Sequence, residues 1–191
     1  MPYSDGAQKG ASKMKLFRKY VIAVTVLAFT LPIAALAGDK PKDDSEENAS
    51  KEFELKACGP QEKEVKYSAE TDKSKHPAPE QPADKALIYV LRPSMMGNKV
   101  QTRLAVDGDW KGVNRGNNYF FLFLDPGEHY FCSAAENHSV MALKVEAGKT
   151  FYVQQHVHMG MMKARTTIGQ MTDEEGKAKL AGLNLSTWQV K

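Results

Sequence analysis

The sequence predicts a mainly β fold: an antiparallel β-sandwich of about seven strands with one short C-terminal helix. Three observations lead there. From Ala86 onward, short runs rich in β-branched and aromatic residues recur, with Gly, Pro, Asn and Asp turns every 6–12 residues. The later runs alternate apolar and polar side chains with a period of two. Helix start and stop signals occur together only after Thr172.

The elements follow in order. Ala86–Leu91 is an apolar strand stopped by Arg92-Pro93, and Gln101–Val106 follows the Met95-Met96-Gly97-Asn98 loop. Asp107-Gly108 is a tight hairpin signal with Trp110–Val113 as its return strand. Tyr119–Leu124 is the most apolar run, closed by the Asp125-Pro126-Gly127 turn. Glu128–Ala134 leads to a turn at Glu136–His138. In Val140–Val145, residues Met141, Leu143 and Val145 share one face. In Thr150–His158, Phe151, Val153 and Val157 face one way and Tyr152, Gln154, His156 and His158 the other. Thr172 and Glu175 form a capping box for a helix running to about Ala181, with Gly182 as its stop and Gly176 as a weak point. Ala86–Leu91 and Tyr119–Leu124 are apolar on both faces, so something must cover the second face. Either the C-terminal helix and Trp188 cover it, or a partner does.

The first 85 residues differ in character. Lys15, Arg18 and Lys19 precede an apolar stretch that ends at Ala35-Leu36-Ala37, so residues 1–37 read as a secretory signal cleaved after Ala37. An uncleaved anchor is the competing reading, but Pro32 and the borderline length favour cleavage, leaving no stable membrane span. Met14-Lys15 is the more natural start, so 1–13 is read as a mis-assigned beginning. A lipidated cysteine is not expected: Gly38 stands where it would sit, and Leu55-Lys56-Ala57-Cys58 follows no apolar helix. Residues 38–85 hold 22 charged residues and five of the nine prolines, and read as a largely flexible linker. Within it only Phe53–Ala57 and Val65–Tyr67 carry a strand-like pattern. The whole chain of 191 residues carries +3. Residues 1–37 supply five basic groups against one acidic, so the remainder is −1. Nothing in that balance argues for nucleic acid.

Two cysteines exclude a four-thiolate zinc site and allow one disulfide. In an oxidising compartment Cys58 and Cys132 are expected to form it, stapling the linker to the β-domain. His156-Val-His158-Met159-Gly-Met161-Met162 is the sharpest chemical pattern. His156 and His158 share a strand face, and thioethers from Met159 and Met161 would suit copper. Solvent-facing histidines and packing methionines are the ordinary explanation of the same residues. Gly148-Lys149-Thr150 fails the phosphate-loop pattern, because Leu143 stands where its first glycine belongs. Asp107 and Asp109 are ordinary turn residues, and Arg115 lies in a polar loop. No nucleophile, base and orienting group can be assembled, so no enzyme is expected.

Ala86-Leu-Ile-Tyr-Val-Leu-Arg-Pro93, Leu104-Ala-Val-Asp-Gly108, Tyr119, Leu124-Asp-Pro-Gly-Glu-His129 and Val145-Glu-Ala-Gly-Lys-Thr-Phe-Tyr-Val153 together resemble the domain-of-unknown-function 2846 family of the bacterial envelope. Their cadence is also similar to PEGA and carboxypeptidase-regulatory sandwiches. The resemblance spans roughly residues 85–170 and rests on turns and strand ends. It implies an exported, non-catalytic β-domain and supplies no catalytic residues. Many relatives look like lipoproteins, and Gly38 departs from that, implying a periplasmic or secreted form. The expected function is therefore binding of a protein or envelope component, with copper binding as the alternative.

Overall fold

The computed structural model describes residues 44–60, 65–160 and 163–191. The expected signal segment 1–37 and Met161 lie outside them. Two helices and ten strands are present among the described residues. They are α1 (Asp44–Cys58), β1 (Tyr67–Asp72), β2 (Ala86–Arg92), β3 (Thr102–Val106), β4 (Asp109–Asn114), β5 (Asn118–Leu124), β6 (Gly127–Ala134), β7 (His138–Val145), β8 (Thr150–Met159), β9 (Ala164–Met171), α2 (Asp173–Leu180) and β10 (Asn184–Val190).

The strands form two sheets, ordered β1-β10-β5-β2-β8-β9 and β4-β3-β6-β7. The sandwich is as expected, and its core lies between the sheets. Ile88, Val90, Phe120 and Val153 from one sheet meet Leu104, Val106, Phe131, Leu143 and Val145 from the other. These are the alternate residues that the period of two assigns to one face.

Three features differ from the sequence reading. First, ten strands replace about seven: β1, β9 and β10 carry too few apolar residues to stand out, yet pair on both flanks of the larger sheet. Second, pairing is not wholly antiparallel. β2 runs parallel to β8, and β10 parallel to β5. A parallel pair needs a long crossover. Between β2 and β8 the chain builds the whole smaller sheet and, midway, β5 of the larger one, so the connection is made of strands without an intervening helix.

Third, the charged segment 38–85 is not simply a tether. Helix α1 occupies Asp44–Cys58, where Phe53–Ala57 read as strand-like, and β1 pairs with β10 from Tyr67↔Val190 to Asp72↔Leu185. α1 packs on the outer face of the smaller sheet through Ala57 and Cys58, against Ala105, Cys132, Tyr130 and Val140. Gly59 ends it with φ +72°, its N–H donating to the Leu55 carbonyl. The Gly108 N–H then donates to the Ala57 carbonyl, docking the helix end on the β3–β4 turn. The buried side chains of Ala57 and Cys58 and a covalent link offset an ordering cost that composition alone would not.

The outer face of the larger sheet is covered by α2. Leu183 is buried with Leu91, Tyr119, Tyr152 and Met171, and Leu180 packs beside them. The capping box is present: the Glu175 N–H donates to the Thr172 hydroxyl, and Glu175 accepts from the Thr172 N–H. Gly176 is explained by this packing, since a Cβ there would lie 2.1 Å from the Tyr152 ring. Trp188 does not share the cover. It packs edge-on against Phe120 and Tyr67, above Gly112. Among the described residues no helix is long and apolar enough to cross a membrane.

Candidate functional site

The densest group of chemistry-bearing side chains lies at the seam between α1 and the smaller sheet. Cys58 is the last residue of α1, and Cys132 points outward from the middle of β6. They form a disulfide with Cα atoms 5.0 Å apart across 74 residues of sequence. His138 opens β7 beside them. Glu54, one helical turn before Cys58, reaches His138 with Oε1 2.5 Å from Nδ1. A ring nitrogen of His138 and the two sulfurs all lie within 4.8 Å of one another. Both cysteines are buried while His138 stays partly exposed, and Glu54, Leu55, Cys58, Pro60 and His138 line an open cleft at this point. The sequence reading found the two cysteines but not His138 or Glu54. Glu54 and His138 are 84 residues apart, and no local pattern joins them.

His156 and His158 stand together as the alternation on β8 requires, with ring centroids 6.3 Å apart on the outer face. Met159 follows on the strand and turns to the other side, 62% exposed. Among the described residues no third His, Cys, Asp or Glu joins this pair within metal-binding distance.

The turn residues of the sequence pattern meet in space. Asp107, in the left-handed region at φ +53°, accepts from the Tyr130 N–H at 2.8 Å and holds His129 Nδ1 at 2.5 Å. His129 Nε2 lies 2.8 Å from the Asp125 carbonyl oxygen, so a doubly protonated ring satisfies both contacts. Burial opposes that charge, but the bonds to Asp107 and the Asp125 carbonyl outweigh it and raise the His129 pKa. This staple joins the β3–β4 turn to the β5–β6 turn. Asp109 is not its partner and pairs with Lys111 at 3.4 Å.

Two buried polar residues went unnoticed in the sequence. Arg92 is fully buried, and its guanidinium donates to the carbonyls of Val100 and Gly97, closing the loop that follows β2. Burial lowers its pKa to about 10. Gln155 lies between the sheets with four bonds. Its Oε1 accepts from Thr102 and Asn114, and its Nε2 donates to the Arg103 carbonyl and the Ser133 hydroxyl. Ser133 is in turn 2.8 Å from the Thr166 hydroxyl. These groups work for the fold: every bond named is to another part of the sandwich.

A protein of Haemophilus influenzae (strain ATCC 51907 / DSM 11121 / KW20 / Rd), described as "Uncharacterized protein", is 26% identical over 100 residues. The matched part is 52% of this chain and 60% of that relative. No solved structure matches the chain. Residues 82–169 match the family model described as "Protein of unknown function (DUF2846)", a span that holds the Arg92 loop, the Asp107–His129 staple and β2–β8.

Proposed function

We propose that the protein is an exported, non-enzymatic β-sandwich of the bacterial cell envelope, periplasmic or secreted, that works by binding a protein or surface partner. The disulfide between Cys58 and Cys132 carries the reading. Such bridges persist in oxidising compartments, and a signal-like segment precedes this one in the sequence. The binding role draws support from the outer face of the larger sheet. There Gly176 of α2 and the following Leu183 cover Tyr152, while Tyr89, Phe121 and Phe123 remain half-exposed in an aromatic row with centroids 6.1 Å apart. Exposed contiguous aromatic surface is typical of interfaces.

Cell fractionation with mass analysis and thiol alkylation tests the location. The expected product starts at Gly38, sits in the envelope or medium, and has no alkylatable thiol under denaturing conditions. A cytosolic chain with two free thiols would overturn the reading. Cross-linking in intact envelopes tests the role: wild type yields a discrete protein adduct that Phe121→Ser/Phe123→Ser loses.

The adjacency of His156 and His158 favours a second reading, copper binding by this pair at the end of β8. Copper titration of His156→Ala/His158→Ala decides it. Affinity equal to wild type excludes the pair.

A further inference from the structure

We propose that the reduced protein holds a thiophilic cation, Zn(II), at Cys58, Cys132 and His138. The oxidised fold already assembles the ligand set, with two sulfurs and an imidazole nitrogen within 4.8 Å of one another. A tetrahedral zinc with bonds of about 2.3 Å to sulfur and 2.0–2.1 Å to nitrogen sets its ligands about 3.5–3.8 Å apart. The cysteines therefore only separate by side-chain rotation, and the imidazole moves by about an ångström.

The surroundings suit an ion as well. Glu54 holds His138 at Nδ1, which leaves Nε2 as the free donor and fixes the ring, as carboxylates do behind metal-bound histidines. The cleft at Glu54, Cys58 and His138 opens to solvent and leaves the fourth position to water. Two thiolates and a neutral imidazole balance the charge of Zn(II), so the apolar floor of Ala57, Ala105 and Val140 buries no net charge.

Entry requires reduction by a dithiol. The Sγ–Sγ bond breaks and takes two electrons, the dithiol closes to its own disulfide, and two protons are released as both thiolates bind zinc. The site is thus exclusive with the bridge, and either state pins the end of α1 to β6. This goes beyond the envelope role, since the metal state belongs to the chain before oxidation or after reduction.

The test uses the chain reduced by dithiothreitol and desalted without oxygen, in a His156→Ala/His158→Ala background, with zinc alone as the probe. One zinc per chain is expected, protecting both thiols from alkylation. The oxidised chain should bind none. Glu54→Gln should weaken zinc about tenfold or more, and His138→Ala should weaken it further. Equal alkylation with and without zinc overturns the proposal, as does full protection in His138→Ala. If reduction unfolds the chain, circular dichroism takes over: zinc refolds the reduced chain but not its His138→Ala variant. Failure to refold either one, or refolding of both, also overturns it. Failure here leaves the envelope reading standing, because location is read from the oxidised protein.

Discussion

Gly176 and Tyr152 set the distance between α2 and the sheet beneath it. Gly176→Ala drives a methyl into the Tyr152 ring and is expected to cost about 1–3 kcal/mol, the range for overpacking. Gly182→Ala, whose added Cβ would meet nothing closer than 3.8 Å, serves as the neutral control in the same urea titrations. Gln155 is a different kind of residue. Gln155→Leu removes one hydrogen bond each from Thr102, Asn114 and Ser133 and the bond to the Arg103 carbonyl, all inside the sandwich. A loss of about 2–4 kcal/mol is expected, more than the added apolar contact returns. His129 makes stability pH-dependent. Its pKa is raised in the folded chain, so its contribution is complete below the unfolded value of about 6.5 and fades as pH rises through the folded value. Urea midpoints of wild type should therefore fall between mildly acidic and alkaline pH by more than those of His129→Asn.

At the scale of elements, α1 is the clearest case of a segment stabilised from outside itself. Most of its residues are exposed, and its sheet contacts gather at Phe53, Ala57 and Cys58. A 15-residue helix of this composition is marginal alone. Opening the bridge with Cys58→Ser/Cys132→Ser frees a 74-residue loop, worth at most about 4 kcal/mol in the chain-entropy model. Hydrogen exchange should show the first two turns of α1 unprotected in both proteins. The amides near Ala57 should be slow only when the bridge is intact.

At the scale of the molecule, the family segment and the folding unit differ. Residues 82–169 omit α1, β1, α2 and β10. Without β10, β5 becomes an open edge, and without α2 and Leu183 the faces of Tyr119 and Tyr152 are bare. Expressed alone, 82–169 is expected to aggregate or bind an apolar dye, while 44–191 stays a soluble, cooperatively unfolding species. Size-exclusion chromatography with circular dichroism distinguishes the two.

The sequence by itself determined the sandwich, the inward and outward faces of β7 and β8, the capped helix α2 and the partner of each cysteine. All of these follow from short-range periodicity, turn chemistry or simple counting. Only the tertiary structure decided that 44–58 is a helix, that β1 and β10 extend a sheet, that β2 and β8 run parallel, and that His138 and Glu54 stand beside the disulfide. Those outcomes depend on contacts between residues tens of positions apart. Their energy comes from surfaces that exist only once the two sheets have closed.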